Sequence, residues 1–98
     1  MQYIDELSKS RATLRVLKFI NENGETKVTG LVGKVAGQKG VYQAIETLLK
    51  LHLITERTDE KFPHPRLFSL TSSGKTVASC LQTIEKTINE SASINTSN

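Results

Sequence analysis

One stretch, GQKGVYQAIETLLKLHLI from Gly37 to Ile54, limits the folds open to this chain more than any other feature. Val41, Ile45, Leu48 and Leu49 fall at i, i+4, i+7 and i+8, a single apolar stripe at helical spacing. Lys39, Gln43, Glu46 and Lys50 fall opposite that stripe, with Thr47 beside them. A helix over about 38–51 therefore has one face that must be buried and one face of long hydrogen-bonding side chains. The outer face suits a solvated surface, and it equally suits the major groove of double-stranded DNA.

The segments before it are also helical. Ser8 or Ser10 can cap a helix from about Arg11 to Asn23, with Ala12, Val16, Leu17, Phe19 and Ile20 on its apolar side. Asn23-Gly24 stops it, because both residues tolerate the left-handed conformation. Glu25 to Val28 reads as a short edge strand. Thr26 or Thr29 is expected to cap a next helix that carries Val28, Leu31, Val32 and Val35 and ends at Gly37. Gly30 and Gly33 weaken that helix by about 1 kcal/mol each relative to alanine; close packing against a neighbouring helix would explain them, and the alternative is a frayed, partly irregular helix. Two short helices joined by a glycine-containing turn make a helix-turn-helix candidate.

Behind the central helix, Thr55 to Thr58 and Arg66 to Leu70 alternate as two strands, joined by the polar, proline-containing run Asp59 to Pro65. Thr71 then caps a last helix, roughly Ser72 to Asn89. The expected class is mainly α with a small β-hairpin (α+β). It divides into an N-terminal extension (1–9, with Tyr3, Ile4 and Leu7 forming a helical turn), a helix-turn-helix and hairpin domain (10–71), a C-terminal helix (72–90) and a disordered polar tail (91–98).

Charge adds a direction. The net charge is only +3, but the whole excess lies in residues 27–52, where Lys27, Lys34, Lys39 and Lys50 face Glu46 alone. A local basic excess around a candidate groove-binding helix is an electrostatic footprint for nucleic acid. Other classes lack their residues. His52 and His64 have no supporting ligands for a metal site, and no phosphate loop or nucleophile motif occurs, so no enzyme, metal or cofactor is expected. Cys80 is the only cysteine; it excludes an internal disulfide and reads as a small buried hydrophobe. No apolar run approaches the ~18 residues of a membrane span, and the N-terminus is unlike a signal peptide. A cytoplasmic location, no membrane contact and no small-molecule ligand are the expectations.

VYQAIETLLKLHLITER followed by PRLFSLTSSGK resembles the winged helix-turn-helix regulators, especially the MarR and PadR types and the small archaeal and archaeal-virus members. The matching residues are Leu53-Ile54 at the end of the recognition helix and Phe68-Ser69-Leu70-Thr71-Ser72-Ser73-Gly74 at the second wing strand. The resemblance covers about residues 10–90. Two positions depart from it. His52 stands where such proteins usually have glycine, and Asp59-Glu60 makes the wing tip acidic where basic residues are common.

The resemblance implies a winged helix with an added C-terminal helix, acting as a sequence-specific regulator on double-stranded DNA. A winged-helix module that binds only protein partners is the alternative. In the DNA reading, Gln38 and Lys39 open the recognition helix nearest the groove, Gln43 suits adenine, and Thr47 suits a phosphate or thymine methyl. Glu46 suits cytosine or solvent, and Tyr42 lies at the edge of the apolar stripe. Lys61, His64 and Arg66 are the basic wing candidates. Val77, Leu81, Ile84 and Ile88 recur at spacings of four, three and four, a short seam expected to join a homodimer.

Overall fold

The computed structural model describes the backbone of residues 2–96 and the side chains of residues 3–92. Ser10 has an extended backbone, and its hydroxyl accepts a hydrogen bond from the Ala12 N–H at 3.2 Å. That bond starts α2, Arg11–Asn23, preceded by the short α1, Gln2–Ser8. Val16, Leu17 and Ile20 bury the inner face of α2, and Thr13 is buried with them. Gly24 (φ 77°) ends it, donating its N–H to the Ile20 carbonyl at 2.8 Å.

The next segment corrects the sequence reading. After the two-residue strand β1, Thr26–Lys27, the helix α3 is a single turn, Val28–Leu31, not a helix reaching Gly37. Neither threonine caps it: Lys27 is the capping residue and makes no side-chain bond, while the Thr26 hydroxyl donates to the Gly24 carbonyl at 2.8 Å. Val32 turns extended, and Gly33 takes φ 84° while its N–H closes a tight loop on the Ala36 carbonyl at 2.8 Å. Nothing lies within 4 Å of where a Gly33 side chain would start, so this glycine answers to backbone conformation and not to close packing. Gly37 is the first cap of α4, Gln38–Lys50.

Helix α4 buries Val41, Ala44, Ile45 and Leu48. Its end is a doubly bonded reversal, with the His52 N–H on the Leu49 carbonyl and the Leu53 N–H on the Leu48 carbonyl, both at 3.0 Å. This is the Schellman arrangement, which needs a left-handed residue, and His52 supplies it at φ 59°. The departure at His52 therefore leaves the turn intact.

Strands β2, Ile54–Thr58, and β3, Arg66–Leu70, form the wing in antiparallel register, Ile54 opposite Leu70 and Thr58 opposite Arg66. β1 joins the other edge of β3, giving a three-stranded antiparallel sheet in the order β1-β3-β2. Phe68, at the centre of β3, is fully buried. Thr71 then knots three elements together. Its N–H reaches the Leu53 carbonyl at 3.0 Å, its hydroxyl donates to the His52 carbonyl at 2.8 Å, and the same oxygen accepts the Gly74 N–H at 2.9 Å, capping α5. A side chain at Gly74 would overlap the Leu53 carbonyl, so the Thr-x-x-Gly spacing is a steric requirement of this knot.

Helix α5 spans Ser72–Thr96. It continues through residues 91–96, which the sequence reading assigned to a disordered tail; Ser97 and Asn98 lie outside the described residues. Ala78 is buried in the common core, and Val77 and Leu81 are half-buried against it. The boundary expected between residues 71 and 72 therefore cuts through one core. Leu7 also packs on that core, so α1 is anchored to it, although Tyr3 and Ile4 stay exposed. Cys80 is exposed, contrary to its expected burial, because Ala78 and Leu81 take the inward side of the helix. Lys18 of α2 meets Glu85 of α5 at 3.0 Å, and that hydrogen bond raises the lysine's pKa. From Gln82 to Ala92 every residue of α5 is exposed, and the molecule is elongated, 57 × 28 × 24 Å. Among the described residues, no helix is long and apolar enough to cross a membrane.

Candidate nucleic-acid interface

With its inner stripe buried, α4 presents Gln38, Lys39, Gln43 and Glu46 to solvent, and Tyr42 is 40% exposed at the edge of the stripe. Thr47 is half-buried and its hydroxyl donates to the Gln43 carbonyl at 3.1 Å, so its methyl group is the freer contact. The face is held in place by the reversal at His52 behind it and by the glycine loop before it. None of the polar ends of Gln38, Lys39, Gln43 or Glu46 has a hydrogen-bond or ion-pair partner among the described residues.

A neighbour that the sequence pattern did not single out lies beside this face. Lys9, Ser10 and Thr13 line one wall of a recess of about 410 Å³ whose other wall is Gln43, Glu46 and Thr47. The start of α2 thus puts a lysine next to the middle of α4. Only the tertiary packing of α2 on α4 brings them together, and no local signal in the sequence carries that information.

The lysines of the basic stretch do not gather into one patch. Lys27 lies on β1, Lys34 in the glycine loop, and Lys39 and Lys50 at opposite ends of α4. Lys50 is 3.9 Å from Glu6 of α1. Lys34 borders a hollow with Arg15 and Lys18, which places α2 cations near the loop that leads into α4.

The wing differs most from expectation. Arg66 makes a two-point contact with Glu56, Nε at 2.7 Å and Nη2 at 3.0 Å, and its guanidinium lies 5.2 Å from the centre of the Phe68 ring. Hydrogen bonding from Arg66 holds the Glu56 carboxyl below the ordinary glutamate range, against the opposing effect of partial burial. The Glu56 pairing in turn raises the pKa of Arg66. Arg57 forms the matching contact on the other side, Nε 2.7 Å and Nη2 2.8 Å from Glu25, and lowers that carboxyl in the same way. Both wing arginines are therefore engaged. Lys61 and His64 are exposed near the tip, where the His64 Nδ1 lies 3.1 Å from the Asp59 carbonyl.

On the seam expected for a dimer, Val77 and Leu81 face their own domain, whereas Ile84 and Ile88 are 52% and 62% exposed. Among the described residues no group of His, Cys, Asp and Glu could hold a metal ion.

A buried-and-capped three-helix core, a helix-turn-helix ending in an exposed α4 and a two-stranded wing together define a winged helix-turn-helix fold. Solved structures share it. A mutant ZitR of Lactococcus lactis in apo form matches with a TM-score of 0.76 at 21% identity, over 100% of this chain and 74% of that one. NMB1585, a MarR family regulator from Neisseria meningitidis, matches at 0.71 and 22% identity, over 93% and 65%. The reduced transcriptional regulator YodB of B. subtilis matches at 0.71 and 14% identity, over 88% and 85%. The chain spans 65% of the NMB1585 chain and 64% of the adhesin competence repressor AdcR from Streptococcus pyogenes. No family model matches the sequence, and a search of curated proteins finds no match.

Proposed function

We propose that this protein is a sequence-specific transcriptional regulator that binds double-stranded DNA, with α4 in the major groove and the wing on the flanking backbone. The observation that carries the reading is the outer face of α4. Its long polar side chains are exposed and unspent on the fold, at the position where winged-helix proteins read base edges. The likeness of the fold to the solved regulators supports the same reading. Lys39 and the neighbouring Lys9 supply phosphate contacts, Gln43 reads adenine, and Tyr42 and Thr47 fill the edges of the contact. Lys61 and His64 approach the backbone from the wing. Arg66 contributes with the guanidinium hydrogens that Glu56 leaves free.

The expected consequence of Lys39→Ala is weaker binding to every sequence and a salt slope reduced by about one unit. Gln43→Ala is expected to relax the sequence preference at one position by about 1–3 kcal/mol. Binding by the double mutant equal to wild type, with the fold intact by circular dichroism, would remove α4 from the interface. If the wild type itself shows no salt-dependent DNA binding, the protein-interaction module takes its place.

The functional unit in this proposal is a homodimer joined by α5. Ile84 and Ile88 are both exposed on α5, Ile84 at the border of a recess that Leu14 and Leu81 also line. Pairing with a second copy removes both from water and sets two α4 helices on successive major grooves.

A further inference from the structure

The recess between the start of α2 and the middle of α4, about 410 Å³, has Lys9, Ser10 and Thr13 on one side and Gln43, Glu46 and Thr47 on the other. That size lies toward the small end of ligand sites. Thr13 is its decisive residue. It is 1% exposed, yet its hydroxyl has no hydrogen-bond partner among the described residues. A buried hydroxyl without a partner destabilises a fold. Among the described residues, no side-chain oxygen or nitrogen fully sealed from solvent is left unpaired, so the Thr13 hydroxyl opens onto the recess that it lines. It is a donor and acceptor held at the floor of the site.

The two sides carry opposite charge. Lys9 stands on the α2 side and Glu46 on the α4 side; both are exposed, and neither has an ion-pair partner among the described residues. They border one recess without bridging it. A ligand that fits must therefore satisfy a cation at one end and an anion at the other. The groups around Lys9 also favour negative charge. The Ser10 oxygen accepts the Ala12 N–H, which leaves its own proton free to donate. The first turn of the 13-residue α2 adds the positive end of the helix dipole. Beside Glu46, the Gln43 amide oxygen is a further acceptor. The Thr47 hydroxyl is turned onto the Gln43 carbonyl, so its methyl group remains for a small apolar contact.

We propose that this recess binds a free α-amino acid, with its carboxylate on Lys9, Ser10 and Thr13 and its ammonium on Glu46 and Gln43, and that the amino acid competes with DNA. An anion alone or a cation alone would leave one of the two wall charges unmet. The competition arises because Lys9 and Gln43 are the groups assigned above to phosphate and adenine, and it rests on that DNA-binding reading. By linkage, each ligand lowers the affinity for the other by the same factor.

The test titrates the full chain, labelled with nitrogen-15, with the common L-amino acids one at a time, and with propionate and ethylammonium as half-ligands. At least one amino acid is expected to bind with a Kd below about 1 mM, shifting the amides of residues 9–13 and 43–47 together. Each half-ligand should bind at least about tenfold more weakly. Glu46→Gln, at an exposed position, and Thr13→Val, at the buried floor, should each weaken the amino acid by about tenfold with the fold intact by circular dichroism. In a second arm, affinity for a random-sequence duplex at about 0.15 M salt should fall about tenfold at saturating amino acid. No shift at up to about 10 mM, shifts confined to one side, or propionate binding as tightly as every amino acid would overturn the site, whatever the duplex titration shows. An amino acid that shifts both sides but leaves the duplex affinity unchanged would overturn the competition. Wild type that binds the amino acid and no duplex would overturn the DNA-binding reading and the competition with it, and keep the site.

Discussion

At φ 59°, His52 carries the backbone strain of the turn between α4 and the wing. Its N–H and carbonyl are spent on Leu49 and Thr71, and its side chain is exposed. Replacing it by glycine removes the left-handed penalty, and His52→Gly is expected to stabilise the fold by about 1 kcal/mol. Urea unfolding checks this; a loss of stability would mean that the imidazole makes a contribution the turn does not reveal. The same knot explains why Gly74 cannot carry a side chain. The resemblance to winged helix-turn-helix regulators singled out both positions, His52 as a departure from a glycine and Gly74 as part of a shared motif. Geometry adds the cause, which is the Leu53 carbonyl pressed against the start of α5. Burial of single residues was less legible. Cys80 sits one step off the inward side of its helix, and periodicity near a helix edge does not decide such a case.

The wing as an element depends on two carboxylate–arginine pairs, Glu56–Arg66 within it and Glu25–Arg57 tying it to the start of β1. Both carboxyls are lowered in the folded state. Their contribution to stability is therefore complete above the ordinary glutamate range and is lost as pH falls through the depressed folded values. Both pairs are solvent-exposed enough for the effect to be small. Carbon-detected NMR titration should place both folded midpoints below the ordinary range, and the Glu56 midpoint should return toward it in Arg66→Ala. An unmoved Glu56 midpoint would show that the pair does not persist in solution. If Arg66 is held back from phosphate by this pairing, Glu56→Gln should strengthen DNA binding on all sequences and steepen the salt slope by about one unit. An unchanged slope would confine Arg66 to a structural role.

The extents of α2, α4 and both wing strands were legible because apolar period, cap and stop signals agree there. The single turn of α3 was not, since Val32 and Val35 continue an apolar pattern across a loop that Gly33 in fact bends. The reach of α5 to Thr96 was missed for the opposite reason. Ser91 to Thr96 lack a core-facing stripe, but they also contain no glycine or proline to stop a helix already formed. The ion-pair partners of the wing arginines depend on strand register and on the sheet's third strand, which one-dimensional spacing does not record.

Across the whole molecule, α5 is about 37 Å long at 1.5 Å per residue; it runs on past Glu85, which Lys18 of α2 holds, and Ile84 and Ile88 are exposed on it. Two copies paired there would have a two-fold axis, and the two α4 helices would meet half-sites whose centres are about 10 bp apart or a small multiple of that. Ile84→Glu combined with Ile88→Glu is expected to give a folded monomer with much weaker DNA binding. Sedimentation that finds the wild type monomeric at high micromolar concentration would refute the pairing. The central claim, that the exposed face of α4 reads DNA sequence, is tested most directly by selecting binding sites from a pool of random double-stranded DNA at about 0.15 M salt. Enrichment of one consensus is expected, palindromic at that half-site spacing, which Gln43→Ala relaxes at a defined position in each half. A pool that emerges unenriched, or a consensus indifferent to substitutions on α4, would contradict it.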